Sequence, residues 1–173
     1  RVISVRAPRG KHIATTDAAT ALLPAALQGM RLGVPAPALI NNGPLWWCIA
    51  LADEAAVRTL QPVQAAIAAL NRTTHSVGLA VFAPADAADT QLVVRAFCPA
   101  DNIPEDPVTG SANAAIAAYL HQCGALAAIG NPYTASQGRE LGRDGRVQVR
   151  VDDEGEVWIG GKTQTVVSGS LGW

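Results

Sequence analysis

Apolar and polar positions alternate in short blocks along most of this chain, and one stretch departs from that habit. From Pro107 to Gly138 there is no Lys, Arg, Asp or Glu. Within it, Ser111–Leu120 is small and apolar on every helical face, and a helix of that kind has no side to offer water. The pattern predicts a buried central helix over about 111–122 with strands packed around it. Ahead of it Leu92–Phe97 reads as a strand, joined to the helix by a turn-rich loop that carries the adjacent acids Glu105 and Asp106.

The remaining blocks are short. Asp17–Gln28 is helix-like, interrupted by Pro24 and closed by Gly29. Ala36–Asn41 and Leu45–Ala52 read as a strand pair joined by the turn Asn41-Asn42-Gly43-Pro44. In the second of these strands, alternation is expected to send one of Trp46 and Trp47 inward and the other towards solvent or a neighbouring subunit. Asp53–Leu60 and Pro62–Leu70 read as short helices, and Val77–Phe82 as a strand. Strands are also predicted at Tyr133–Gln137, Val147–Val151, Val157–Ile159 and Thr165–Val167, punctuated by Gly-rich turns. Helices set among many short strands imply an α+β fold with a mixed, mostly antiparallel sheet.

Composition narrows the class. The chain has 173 residues, a formal net charge of −1, 49% hydrophobic and 16% charged residues, as expected of a single globular domain. No basic excess follows a nucleic-acid backbone or an anionic membrane, and Gly, Pro or polar residues break every apolar run. Cys48, Cys98 and Cys123 are widely spaced and odd in number, so they read as small apolar residues of a reducing, cytoplasmic compartment, not as a disulfide framework or zinc site. His12, His75 and His121 lie far apart, which argues against a metal site, and no cofactor fingerprint occurs. His121, near the end of the central helix, is expected to bond its last carbonyls. Arg1–Arg6 has no signal-peptide pattern and reads as the middle of a strand, so the chain is expected to be part of a longer protein.

Chemistry concentrates where the loop meets the central helix. Pro107 pushes Asp106 into extended backbone, just outside the helix. Thr109 and Ser111 are both N-cap candidates, and Gly110 lets a ligand approach the backbone. The first helical N–H groups have no partner within the helix and favour a bound anion. Asp106 is then placed to exchange a proton with a ligand whose carboxylate rests on the amides around Gly110 and Ser111. The same residues also read simply as a loop closing onto a well-capped core helix.

Arg95-x-Phe97-x-Pro99 followed by Glu105-Asp106-Pro107-x-Thr109-Gly110-Ser111-Ala112 resembles the signature of the phenazine-biosynthesis isomerase (PhzF-like) family. Weaker landmarks are Asn42-Gly43-Pro44-x-Trp46, Ser136-Gln137-Gly138 with Gly142-Arg143, and Val157-x-Ile159-Gly160-Gly161 with Thr165-Val166. The resemblance implies a diaminopimelate epimerase-like domain, a barrel-like sheet wrapped around the central helix. It implies the carboxyl-terminal half of a two-domain, cofactor-independent isomerase, commonly a homodimer, that relocates a proton on a small carboxylate. On this view residues 1–173 form one domain, with 1–11 and the last strand partly an interdomain connection. The amino-terminal domain and its catalytic glutamate are absent from this chain. The resemblance assigns catalysis to Asp106 and substrate binding to Thr109, Gly110 and Ser111. Glu105 would fix the loop, paired with Arg95.

Gly130-Asn131-Pro132 has the letters of the family's amino-terminal motif but follows the central helix, and is read as a turn, with Glu140 beyond it a solvated surface charge. A non-catalytic alternative stays open: an anion-binding or assembly module, or an inactive fragment.

Overall fold

The apolar blocks assemble into one ten-stranded mixed sheet with helices on both of its faces. The computed structural model describes residues 1–170 and Gly172. In chain order the elements are β1 (Val2–Arg6), β2 (Lys11–Ile13), α1 (Asp17–Ala26), β3 (Ala38–Asn41), β4 (Leu45–Ala50), α2 (Glu54–Arg58) and α3 (Gln64–Thr74). They continue with β5 (Gly78–Pro84), β6 (Leu92–Cys98), β7 (Ile103–Asp106), α4 (Gly110–Gln122), α5 (Leu126–Ile129), β8 (Tyr133–Gln137), β9 (Gly145–Val151) and β10 (Val157–Lys162). The strands run in the order β1-β10-β9-β8-β6-β5-β4-β3-β2, and the sheet is open, ending at β1 and β2. Pairing is antiparallel except at β4–β5 and β6–β8.

Alternation along the central strands feeds two separate cores. Trp46, Cys48, Phe82, Val94 and Ala96 join the core around α4, which is buried from Ala112 to Leu120 and packs on β3, β4, β9 and β10. Trp47, Ile49, Val81, Val93 and Phe97 face α1, α2 and α3. A strand covered on both sides has no wet face, which is why these segments read as nearly continuous apolar runs. It also corrects the expectation for the tryptophan pair. Both indoles are buried, at 1% and 0% exposure, and neither meets solvent.

Three local expectations change. Thr165–Val167 forms no strand, and Val166 and Val167 are 85% and 84% exposed; the preceding strand, β10, already has β1 and β9 on its two edges. Ile103–Asp106, expected as loop, is a strand held by Ala96↔Asp106 and Cys98↔Ile103. β2, too short to show a pattern, pairs with β3.

The register on β6 decides where the site forms. β8 takes its first half, through Val94↔Gln137, and β7 takes its second half on the same edge, through Ala96↔Asp106. Gln137 and Asp106 therefore end their strands beside each other, 31 residues apart in sequence.

Candidate active site at the start of α4

Asp106 closes β7 and is half-buried, outside the helix as Pro107 requires. Its Oδ2 accepts from the Thr109 hydroxyl at 2.5 Å. Thr109 occupies the N-cap of α4, yet its side chain makes no capping bond, so the expected hydroxyl cap is not formed. The hydroxyl is engaged with Asp106 instead, and the first amides of α4 keep their orphan character. Ser111 lies in the first turn and not at the cap. Its Oγ accepts from Trp46 Nε1 at 3.1 Å, and its carbonyl accepts from Asn42 Nδ2 at 2.8 Å. A hydroxyl whose lone pair is taken by an indole N–H keeps its own hydrogen for another acceptor.

A cavity of about 340 Å³ opens at this helix end. Gly110, Ser111 and Asn42 line it, with Val5 and Ile159 as apolar walls and Arg6 as the cation. Free amides, the positive end of a 13-residue helix, a donor hydroxyl and an arginine together favour an anion with an apolar body. Gly110 and Ile159 also border a second hollow of about 570 Å³ that holds Arg146 and Lys162. Asp106 and Thr109 line neither space. The predicted site residues therefore divide: Gly110 and Ser111 face the cavity, while Asp106 and Thr109 sit behind them as a bonded pair.

A family model described as phenazine biosynthesis-like protein (PhzC-PhzF) matches residues 1–169. The chain belongs to that family. Among the relatives of this PhzF-family chain, antisense-enhancing sequence 1 of Schizosaccharomyces pombe is 29% identical over 96% of the chain and 58% of the relative. An uncharacterized isomerase of Clostridium acetobutylicum is 38% identical over 65% of the chain and 39% of the relative. Two solved structures share the fold. A phenazine biosynthesis protein of the PhzF family from Bacillus anthracis has TM-score 0.71 and 17% identity, covering 92% of this chain and 57% of that one. A predicted epimerase from Pseudomonas aeruginosa has TM-score 0.66 and 24% identity, covering 96% and 59%. The match thus spans between about two-fifths and three-fifths of the length of these proteins.

Behind the PhzF-family motif the loop is pinned from two directions. Arg95, 6% exposed, donates through Nε and Nη2 to both carboxylate oxygens of Glu105, at 2.9 and 2.7 Å. Its Nη1 donates to the Val57 and Leu60 carbonyls at the end of α2, and its guanidinium lies 5.1 Å from the Phe97 ring centroid. On the other side Gln137, 1% exposed, bonds the Asp106 carbonyl and Thr109, and Asn113, 0% exposed, bonds Gln137. Asn42, Trp46 and Gln137 stand in the weaker family landmarks and Asn113 in the apolar helix, and the sequence by itself gives none of the four a place in the site. Asn113 does carry a signal, being an amide in an otherwise apolar helix, where a buried polar group needs partners.

Two secondary readings also change. Glu140 is not a solvated charge; its side chain is 14% exposed and pairs with Arg58 at 3.0 Å, and Arg58 also holds Glu54 and Ser136. His121 is exposed, with its Nε2 edge against Gly155. Among the described residues no group of three or more His, Cys, Asp or Glu gathers as a metal site.

The cysteines divide by burial. Burial pushes the Cys98 thiol up to about 12, helped by the charges of Asp106 and Asp101, and burial alone pushes Cys48 up strongly. Cys123 is exposed. Near neutral pH, maleimide is expected to label Cys123 alone in the folded chain and all three cysteines after denaturation, as counted by mass spectrometry. Native labelling of Cys98 at the rate of Cys123 contradicts this.

Proposed function

We propose that this chain forms the carboxyl-terminal half of a PhzF-like, cofactor-independent isomerase that moves a proton on a small carboxylate. The observation that carries the reading is the cavity at the amino end of α4, where Gly110 and Ser111 present donors beside Arg6. Ser111 and the Gly110 amide hold the carboxylate, and Asp106 exchanges the proton or holds a polar substituent. Glu105 and Arg95 support the loop. The family match and the isomerase names of the relatives support the reaction class. The burial of α4 against strands from both ends of the sheet supports a diaminopimelate epimerase-like domain organised around that helix. The active site is completed by an amino-terminal domain, which brings a second catalytic group to Asp106. A homodimer belongs to the same proposal, motivated by Val2, Ile3 and Val5 exposed on edge strand β1, and a cytoplasmic location is proposed from the unpaired cysteines. Among the described residues no helix is long and apolar enough to cross a membrane.

The non-catalytic reading, an anion-binding or assembly module, draws on one observation: Asp106 does not line the cavity of this chain. One measurement tests the anion site and a second separates the readings. Benzoate, with benzamide as the uncharged control, is expected to perturb the Gly110 and Ser111 amide resonances. Ser111→Ala is expected to weaken binding by about 1–2 kcal/mol, roughly tenfold. In a protein carrying both halves, Asp106→Asn is expected to lower turnover by about 10²-fold with thermal stability nearly unchanged. Equal loss of turnover and stability makes Asp106 structural, full turnover in the variant removes it from the acid/base step, and a parent protein that binds benzoate but shows no turnover leaves a binding module.

A further inference from the structure

We propose that Gln137 is a positioning residue that decides, through Thr109, which oxygen of Asp106 carries the exchanged proton. The proposal rests on the reading of Asp106 as the acid/base group. Gln137 has its whole bonding capacity committed. Oε1 accepts from the Thr109 backbone N–H at 3.0 Å and from Asn113 Nδ2 at 2.8 Å. A backbone N–H only donates, so the amide is held with its oxygen towards Thr109 and its nitrogen away. Nε2 then gives one hydrogen to the Asp106 carbonyl at 3.0 Å and the other to Thr109 Oγ1 at 2.9 Å. Asn113, whose Nδ2 also donates to the Thr109 carbonyl at 2.9 Å, locks the far side.

The consequence passes through one hydroxyl. Thr109 Oγ1 receives a hydrogen from Gln137, so it turns its own hydrogen to the remaining acceptor, Asp106 Oδ2 at 2.5 Å. That distance is typical of a hydroxyl donating to a charged oxygen. Oδ2 is thereby kept as an acceptor. A proton arriving on Asp106 goes to Oδ1, and leaves from it. Thr109 is 7% exposed and Gln137 1%, so no bulk water competes for these positions. Of the neighbouring groups, Arg95 and Glu105 neutralise each other, and Cys98, pushed up to about 12 by burial and by the charges of Asp106 and Asp101, stays a neutral thiol.

The test reads the Asp106 carboxyl carbon by ¹³C NMR across pH, in this chain and without turnover. Removing a donor to the ionised form favours the acid, so in Thr109→Val the acid form of the carboxyl persists to higher pH than in the parent chain. Thr109→Ser keeps the hydroxyl and titrates like the parent chain. Gln137→Glu keeps the Oε1 acceptor but replaces the Nε2 donor, so the hydroxyl turns to the introduced carboxylate and the Asp106 midpoint also rises. An Asp106 midpoint unchanged in both Thr109→Val and Gln137→Glu overturns the proposal. If Thr109→Val does not fold, Thr109→Ala, which also lacks the hydroxyl, set against Thr109→Ser decides it. A failure of Asp106→Asn to affect turnover removes the acid/base reading while leaving this titration as found, so the two are told apart.

Discussion

Replacing Arg95 by Met is expected to destabilise the chain by about 3–5 kcal/mol, the cost of leaving a buried charge without its partner. The side chains of Arg95 and Glu105 are 7% and 9% exposed, so water does not reach in to solvate the carboxylate left behind. The loss also strips the Val57 and Leu60 carbonyls of their donor and removes the cation over Phe97. For a chain of this size that corresponds to a fall in melting temperature of roughly 10 °C. Methionine keeps much of the stem volume, so a cavity contributes little. The double variant Arg95→Met, Glu105→Leu removes both charges and is expected to recover a large part of the loss, since a buried pair replaced by apolar groups is often near neutral. Chemical denaturation of the three chains checks this. A single-variant loss below about 1 kcal/mol means the pair is solvated in solution and does not pin the loop.

Gly138→Ala is the second large effect, expected at about 3 kcal/mol. Gly138 has φ +89, a region that L side chains avoid, and a Cβ built there falls 2.3 Å from the Pro107 carbonyl oxygen. Backbone cannot swing aside as a flexible side chain can, so the Pro107–Thr109 loop must move off the end of β8. Gly124→Ala isolates the conformational part. Gly124 has φ +72 with nothing within 4 Å of the added carbon, so it is expected to cost only about 1–2 kcal/mol. The excess at Gly138 measures the close approach of the loop. Equal losses at the two sites contradict it. Because the displaced loop carries Asp106 and Thr109, Gly138→Ala should also broaden the amide resonances of Thr109 and Gly110, which Gly124→Ala leaves sharp.

Much of the scaffold was legible because it follows from local pattern. A run without charge from Pro107 to Gly138 admits only a buried helix at its centre, and α4 spans Gly110–Gln122 against an expected 111–122. Pro107 bars its predecessor from helical backbone, so Asp106 had to lie ahead of the helix. The apolar blocks at Leu45, Val77 and Leu92 became β4, β5 and β6 because strands buried on both faces leave such runs.

Where the same letters carried no local constraint, reading along the chain went astray. Thr165–Val167 has strand propensity but pairs with neither open edge of the sheet. Ile103–Asp106 has little propensity, and pairs because β6 offers the edge that β8 leaves open. Period-two alternation separated Trp46 from Trp47, but which face is wet depends on what packs there, and helices cover both.

The site shows the division most clearly. Sequence alone determined that a helix end with free amides, Gly110 and Ser111 stands beside Asp106, because capping and proline sterics act over a few residues. Only the tertiary structure decided that Gln137 reaches the Asp106 carbonyl, that Trp46 takes the Ser111 lone pair, and that the Asp106 carboxylate faces Thr109 and not the cavity. The first two contacts join residues 31 and 65 positions apart, and a hydrogen bond a few ångströms long is set by strand register, which no single segment carries.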